Sequence, residues 1–235
     1  MIYTALITGA DKGLGQSLTE KFLAEGFHVF SGIYLHDGRL EPSKKQYLQT
    51  LSIIPLDVTD LESISHAADL VSRKTDALDV LVNNAGVHLP GSKVSLEELD
   101  IAGRILEKVM DVNAFGPLRV VQQFLPFLRK GQLKRIINIS SEAGSISNCY
   151  RESWFPYCMS KAALNMQTHI LNNYLSKEGF RVLAVHPGWM RTDMGGSEAD
   201  IHPDQAAAGI FHLVMTEWKP EDPLYMDYQG NPITW

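Results

Sequence analysis

Tyr157-Cys158-Met159-Ser160-Lys161 sets a phenol and an ammonium four residues apart, a spacing that puts both on one face of a helix. Pro156, just before, suits the opening of that helix, whose N-terminal partial charge also favours an anion. A phenol with a pKa of about 10 needs a nearby cation to exchange a proton near neutrality. A charge ~4 Å away at an effective dielectric of ~20 supplies on the order of 4 kcal/mol, about three pKa units, partly offset by desolvation. With 8 tyrosines in 235 residues, about 0.4 such pairs with lysine arise by chance, so the spacing alone is weak. Position carries more. The pair opens a helix after a strand ending in Asn138-Ile139-Ser140-Ser141, where a serine hydroxyl could join it. Either serine is also an ordinary turn or cap residue.

Thr8-Gly9-Ala10-Asp11-Lys12-Gly13-Leu14-Gly15 follows the first apolar run and leads into an apolar helix. Glycines there allow a tight turn and bring main-chain N–H groups against a pyrophosphate at a helix N-terminus. The spacing is G-x-x-x-G-x-G, and a glycine-rich turn that merely starts a helix remains open. At the end of the second run, Gly32-Ile33-Tyr34-Leu35 carries no acid before Asp37. A carboxylate is therefore missing where it would bind a ribose 2′-hydroxyl and repel a 2′-phosphate. Lys12 adds a cation, so NADP(H) is expected over NAD(H). Lys12 could equally be a solvated loop lysine, and Asp37 could reach back.

The elements that must hold these groups alternate. Short Val- and Ile-rich runs at Tyr3–Thr8, His28–Tyr34, Ser52–Leu56, Val80–Val82, Arg135–Ile139 and Arg181–His186 predict strands buried on both faces. Helical periodicity is read over Leu14–Glu25, Leu61–Arg73, a long segment from about Leu96 to Leu128, and Tyr157–Ser176. That alternation predicts an α/β protein with a doubly wound parallel sheet, a Rossmann fold of three α/β/α layers in a single domain over 1–235. Residues 36–49 read as a polar surface loop with some helix, and 187–204 as an irregular loop rich in Gly, Pro and Asp. Loops of the second kind, leaving the carboxyl end of a parallel strand, are where such sheets bind ligands.

Composition agrees: 45% hydrophobic, 20% charged, 21 basic against 27 acidic residues. A net charge of −6 argues against nucleic acid. No window approaches the ~20 apolar residues of a membrane span, and no leader is read at the N-terminus. Two cysteines, Cys149 and Cys158, form no disulfide framework and suggest a reducing, cytoplasmic setting. The eight histidines show no metal-ligand spacing, so no metal is expected.

Taken together, the residues resemble the short-chain dehydrogenase/reductase family over essentially the whole chain. The matching motifs are TGADKGLG at 8–15, Asp57-Val58, Asn83-Asn84-Ala85-Gly86, Asn113, the serine pair, Tyr157 with Lys161, and Pro187-Gly188. Ser141 and Tyr157 stand 16 positions apart, a wider gap than is usual in the family. With PGWMRTDMGG at 187–196 and the terminal GNPITW, this looks like the branch of C-factor-like and sniffer-like carbonyl reductases.

The resemblance implies reduction of a small aldehyde or ketone with NADP(H). Tyr157 would be the general acid, Lys161 would lower its pKa and bind the nicotinamide ribose, and Ser141 would hold the substrate oxygen. Asn113 would position a relay water. The cofactor would lie against Gly9, Asp11, Lys12, Gly13, Leu14, Gly15 and Tyr34. Asp57 and the Val58 backbone would meet the adenine, and Asn83, Asn84, Ala85 and Gly86 would run along it. Pro187, Gly188, Met190 and Thr192 would close over the nicotinamide, Thr192 on its carboxamide.

His88, Cys149, Tyr150, Arg151, Trp154, Phe155, Trp189 and Met190 are expected at the pocket rim, where plain packing is an equal reading for each. Met215, Trp218, Met226 and Trp235 read as core or interface. The loop at 187–204 is expected to be short and the pocket open. A homodimer or homotetramer is implied by the resemblance. A signalling or sensor protein that binds the dinucleotide with little turnover stands as the alternative.

Overall fold

The computed structural model describes residues 2–35, 38–89, 91 and 94–235; Asp37 lies outside them. Seven parallel strands form one sheet in the order β3-β2-β1-β4-β5-β6-β7. They are β1 Thr4–Thr8, β2 His28–Ile33, β3 Leu51–Pro55, β4 Val80–Asn83, β5 Arg135–Ile139, β6 Arg181–His186 and β7 Tyr225–Asp227. The helices are α1 Gly13–Ala24, α2 Glu41–Gln46, α3 Leu61–Ser72, α4 Arg104–Met110, α5 Gly116–Lys130, α6 Phe155–Leu175 and α7 Pro203–Met215.

Strand side chains alternate between two cores, as the pleat requires. Ile7, Val82, Ile137 and Val185 face Leu18 and Phe22 of α1 and Ile210 of α7. Leu6, Leu81, Ile136 and Val182 face Ile64 of α3, Phe124 of α5 and Leu175 of α6. The expected three layers are present, with all six expected strands within a residue of their read limits.

Three features depart from the sequence reading. The long segment from Leu96 breaks into α4 and α5, joined by a π-helical turn over Asp111–Phe115; such turns cluster at functional sites. The loop after β6 ends at α7, with Pro203 in its first turn and His202 capping Asp204 N–H. A seventh strand was not foreseen, because Tyr225–Asp227 has only three residues and no apolar run. It buries Met226 completely, while Met215 is exposed and Trp235 lies against Tyr225.

Candidate active site

The carboxyl ends of β1, β4, β5 and β6 and the N-termini of α1 and α6 share one rim of the sheet. Thr8 Oγ1 ends β1 and accepts from both Asn84 and Ala85 N–H at 3.0 Å. Asn84 Nδ2 donates to the carbonyls of Thr8 and Gly9 at 2.9 Å, binding the turn after β4 to the glycine loop. At Gly15 any Cβ would stand 2.1 Å from the Gly9 carbonyl oxygen, so this close approach requires glycine. Gly9 and Gly13 have φ of +62° and +55°, the left-handed region that glycine enters freely. Leu14 is buried behind the loop.

Lys12 starts α1 in an extended conformation, with no side-chain cap and no acid in the first turn. That uncapped N-terminus, behind a glycine turn, fits the pyrophosphate of a dinucleotide.

Lys12 itself corrects the expectation of a free cation. Its ammonium donates to Asp193 Oδ2 at 2.5 Å, from the segment after β6. That segment is folded on itself more tightly than an open lid would be. Met190 bridges Ile201, Trp189 Nε1 donates to the Gly195 carbonyl at 2.8 Å, and Arg191 Nε donates to that of Ala199 at 2.8 Å. Thr192 Oγ1 accepts from Gly195 N–H at 3.2 Å, and its methyl lies where a Gly13 Cβ would touch it. Pro187 is buried and Gly188 turns the chain at φ +83°.

At the end of β2, Tyr34 is exposed and Leu35 N–H donates to Asp11 Oδ1 at 2.9 Å. Beside it lies a cavity of about 180 Å³ lined by Asp11, Ile33, Leu35, Arg39, Glu41 and Ile53. Arg39 is a residue of this end that the sequence reading does not single out. The arginine of a polar loop just past the second strand was the available signal, and its charge also reaches Asp193.

Asp57 Oδ1 accepts from Thr59 N–H and Oγ1 at 2.9 and 2.7 Å, and Val58 buries its side chain beside Gly116. The side chain of Asn83 does not face the cleft. It is 2% exposed and donates to Asn138 Oδ1 at 2.8 Å inside the sheet. Ala85 and Gly86 stay partly exposed at the rim, and Gly86 borders Asn113 Oδ1 and Lys161 Nζ.

Of the two serines, Ser140 is spent on Asn165 Oδ1 at 2.6 Å. Ser141 caps the turn that follows, its Oγ accepting from Ala143 N–H at 3.2 Å, and its hydroxyl favours the charged form of the Tyr157 phenol. Burial pushes that phenol up to about 12, against a lowering by Ser141. Lys161 is held down at about 8 by burial; its ammonium donates to the Ile139 carbonyl at 2.8 Å and stands 5.7 Å from the Tyr157 ring. The expected lowering of the phenol by this lysine is therefore absent here, because desolvation dominates and the ammonium points at β5. Asn113, in the π-turn, is 1% exposed. Its amide donates to the Val87 carbonyl and Ser160 Oγ at 2.9 and 3.1 Å, and its Oδ1 accepts from Val87 N–H at 2.8 Å. These bonds tie β4's loop to α6 through the π-turn.

The outer wall is aromatic. His88 lies 4.9 Å from the ring centroids of both Trp154 and Tyr157. Trp154 has φ +68°, a strained conformation for a bulky residue, of the kind found at functional sites. Arg151 forms a bidentate pair with Glu142 at 2.6 and 2.8 Å and lies over Tyr150 and Trp154. Phe155 opens α6, and Cys149 and Cys158 are free thiols. Among the described residues, no three His, Cys, Asp or Glu side chains gather to hold a metal, and no helix is long and apolar enough to cross a membrane.

The sequence and the fold have counterparts among known proteins. Residues 3–201 match the short chain dehydrogenase family. The C-signal of Myxococcus xanthus is 37% identical over 161 residues, covering 68% of this chain and 95% of that protein. NADPH bound carbonyl reductase from chicken fatty liver has a TM-score of 0.88 at 30% identity, covering 100% of this chain and 99% of that one. Carbonyl reductase Sniffer of D. melanogaster has a TM-score of 0.90 at 26% identity over 100% of both chains. A match over most of the sequence, on this sheet order and with this rim, places the chain in the short-chain dehydrogenase family of oxidoreductases.

Proposed function

We propose that the protein is an NADP(H)-dependent reductase of small, uncharged aldehydes or ketones. The observation that carries this is the buried Lys161 ammonium 5.7 Å from the Tyr157 ring, with Ser141 acting on that phenol, on the same rim as the uncapped start of α1. The NADPH bound to the chicken carbonyl reductase supports the cofactor. The glycine loop and α1 N–H groups would hold the pyrophosphate, and Arg39 with Lys12 would take the 2′-phosphate. Asp57, Val58 and Asn84 to Gly86 would border the adenosine and its linker, with Pro187 to Thr192 over the nicotinamide. When bound, the dinucleotide supplies the hydride.

The chain's own residues do the rest. Ser141 donates a hydrogen bond to the substrate oxygen as charge builds there. Tyr157, protonated at neutrality because its pKa is about 12, gives that oxygen its proton. Lys161, charged below about pH 8, would offer a donor toward the ribose. Trp154 and His88 wall the phenol with ring surface, while Arg151 is neutralised by Glu142. A neutral hydrophobic carbonyl suits that wall better than a carboxylate.

Met159, Met166, Ile170 and Tyr174 leave an apolar stripe exposed along α6, next to Phe115 and Leu118 of the π-turn and α5. A stripe of that kind supports self-association into a homodimer or homotetramer. Ile170→Glu is expected to lower the mass seen by light scattering; a monomeric wild type would remove the assembly. The free thiols support a reducing compartment such as the cytoplasm.

The test is NADPH consumption with a panel of aldehydes, ketones and diketones. The likeness to C-signal favours a second reading, a signalling protein that binds the dinucleotide. NADPH binding without turnover across the panel, together with a protein partner recovered by pull-down, would establish that reading instead.

A further inference from the structure

Tyr225 sits on β7 at 1% exposure, and its hydroxyl donates to the Ser141 carbonyl at 2.5 Å, across 84 residues of sequence. The β6–β7 register places it beside Ala184, on the α6 side of the sheet. Burial raises the pKa of its hydroxyl, and Asn165 acts on that hydroxyl to lower it. Asn165 lies one turn beyond Lys161 on α6; it accepts from Ser140 Oγ at 2.6 Å and donates to the Gly144 carbonyl at 3.1 Å. Tyr225 and Asn165 thus hold three successive points of the chain from 140 to 144.

The ring of Tyr225 is fixed from behind. Trp235 stacks on it at 5.2 Å and 25°, and Ile233 N–H donates to the Tyr225 carbonyl at 2.9 Å. Separate ties run from Ser145 Oγ to the Thr234 carbonyl at 2.6 Å and from Ser147 N–H to that of Trp235 at 2.8 Å. A phenylalanine would fill the same space against Trp235. Only the hydroxyl reaches Ser141, whose carbonyl also accepts from Gly144 N–H at 2.9 Å; without the hydroxyl that carbonyl would keep its turn bond but lose its tie to β7. The Ser141 peptide could then pivot, carrying with it an Oγ that caps Ala143 and acts on the Tyr157 phenol.

We propose that Tyr225 is a positioning residue that anchors the Ser141 main chain, so that the Ser141 hydroxyl faces the Tyr157 phenol and the substrate oxygen. The inference rests on the reaction proposed above. Small displacements of a donor cost much in rate, because its stabilisation is realised only in the transition state.

The experiment compares Tyr225→Phe with Ser145→Ala, which cuts a tail tie without touching Tyr225. Tyr225→Phe is expected to lower kcat about ten-fold while the KM for NADPH stays within about two-fold. In alcohol oxidation with NADP⁺, the acid limb of its pH profile moves upward, since Ser141 no longer favours the phenolate. Ser145→Ala keeps kcat within about two-fold of wild type. Wild-type kcat and pH profile in Tyr225→Phe would overturn the inference, as would an equal loss in Ser145→Ala. A wild type that consumes no NADPH defeats the reaction itself. A crystal structure of Tyr225→Phe reads the positioning without turnover: the Ser141 hydroxyl parts from the Tyr157 phenol, and an unmoved Ser141 would contradict it.

Discussion

Lys12 Nζ and Asp193 Oδ2 meet at 2.5 Å, although 181 residues separate them in sequence. The pair ties the glycine loop to the segment after β6, and Ser17 Oγ adds a second tie by donating to Asp204 Oδ1 at 2.6 Å. Asp193 thus stands where a phosphate oxygen would satisfy Lys12, and the lysine holds its carboxyl below the usual range.

Removing that carboxylate frees the ammonium for a ligand. Asp193→Asn is expected to tighten NADPH binding about two- to five-fold, the modest scale of an exposed ion pair. NADH, which lacks the 2′-phosphate, changes less. Titration of cofactor fluorescence checks this, and an unchanged or weaker NADPH affinity would count against the competition.

Arg39 faces the cavity at the end of β2. Arg39→Ala is expected to raise the KM for NADPH about ten-fold, the scale of a lost charge-assisted contact, and to leave that for NADH nearly unchanged. Steady-state kinetics with both cofactors decide, and an equal loss for both would assign Arg39 to packing of the loop.

Lys161 gives the protein a pH-dependent stability. Its folded pKa of about 8 lies below the ordinary 10.5, so between those values the unfolded chain binds more protons. Stability therefore rises with pH across that window, and the burial penalty is felt in full below it. The Tm of wild type relative to Lys161→Met is expected to climb from about pH 8 to about pH 10. A flat difference would mean that the lysine is not desolvated.

Much of this was legible in the sequence because it was local. The strands buried on both faces announce themselves by Val and Ile runs, and the Tyr157 and Lys161 spacing puts both on the inner face of α6. What escaped was non-local or weakly patterned. No residue pattern marks the π-turn at Asp111–Phe115. The three residues of β7 are recognisable only through their pairing with β6, which is what brings Tyr225 to Ser141. The electrostatic expectation for Tyr157 also needed coordinates: spacing set the face, but the ammonium turned toward the Ile139 carbonyl and burial then set the pKa. Asn83 misled because adjacent residues at a strand end point to opposite sides.

The central claim is that the Tyr157 hydroxyl delivers the proton in carbonyl reduction. Measuring kcat for NADPH-dependent reduction in Tyr157→Phe, beside NADPH affinity in the same variant, tests it most directly. The account predicts a loss of about a hundred-fold or more in kcat, the usual contribution of a general acid, with affinity nearly unchanged. Turnover equal to wild type would contradict it.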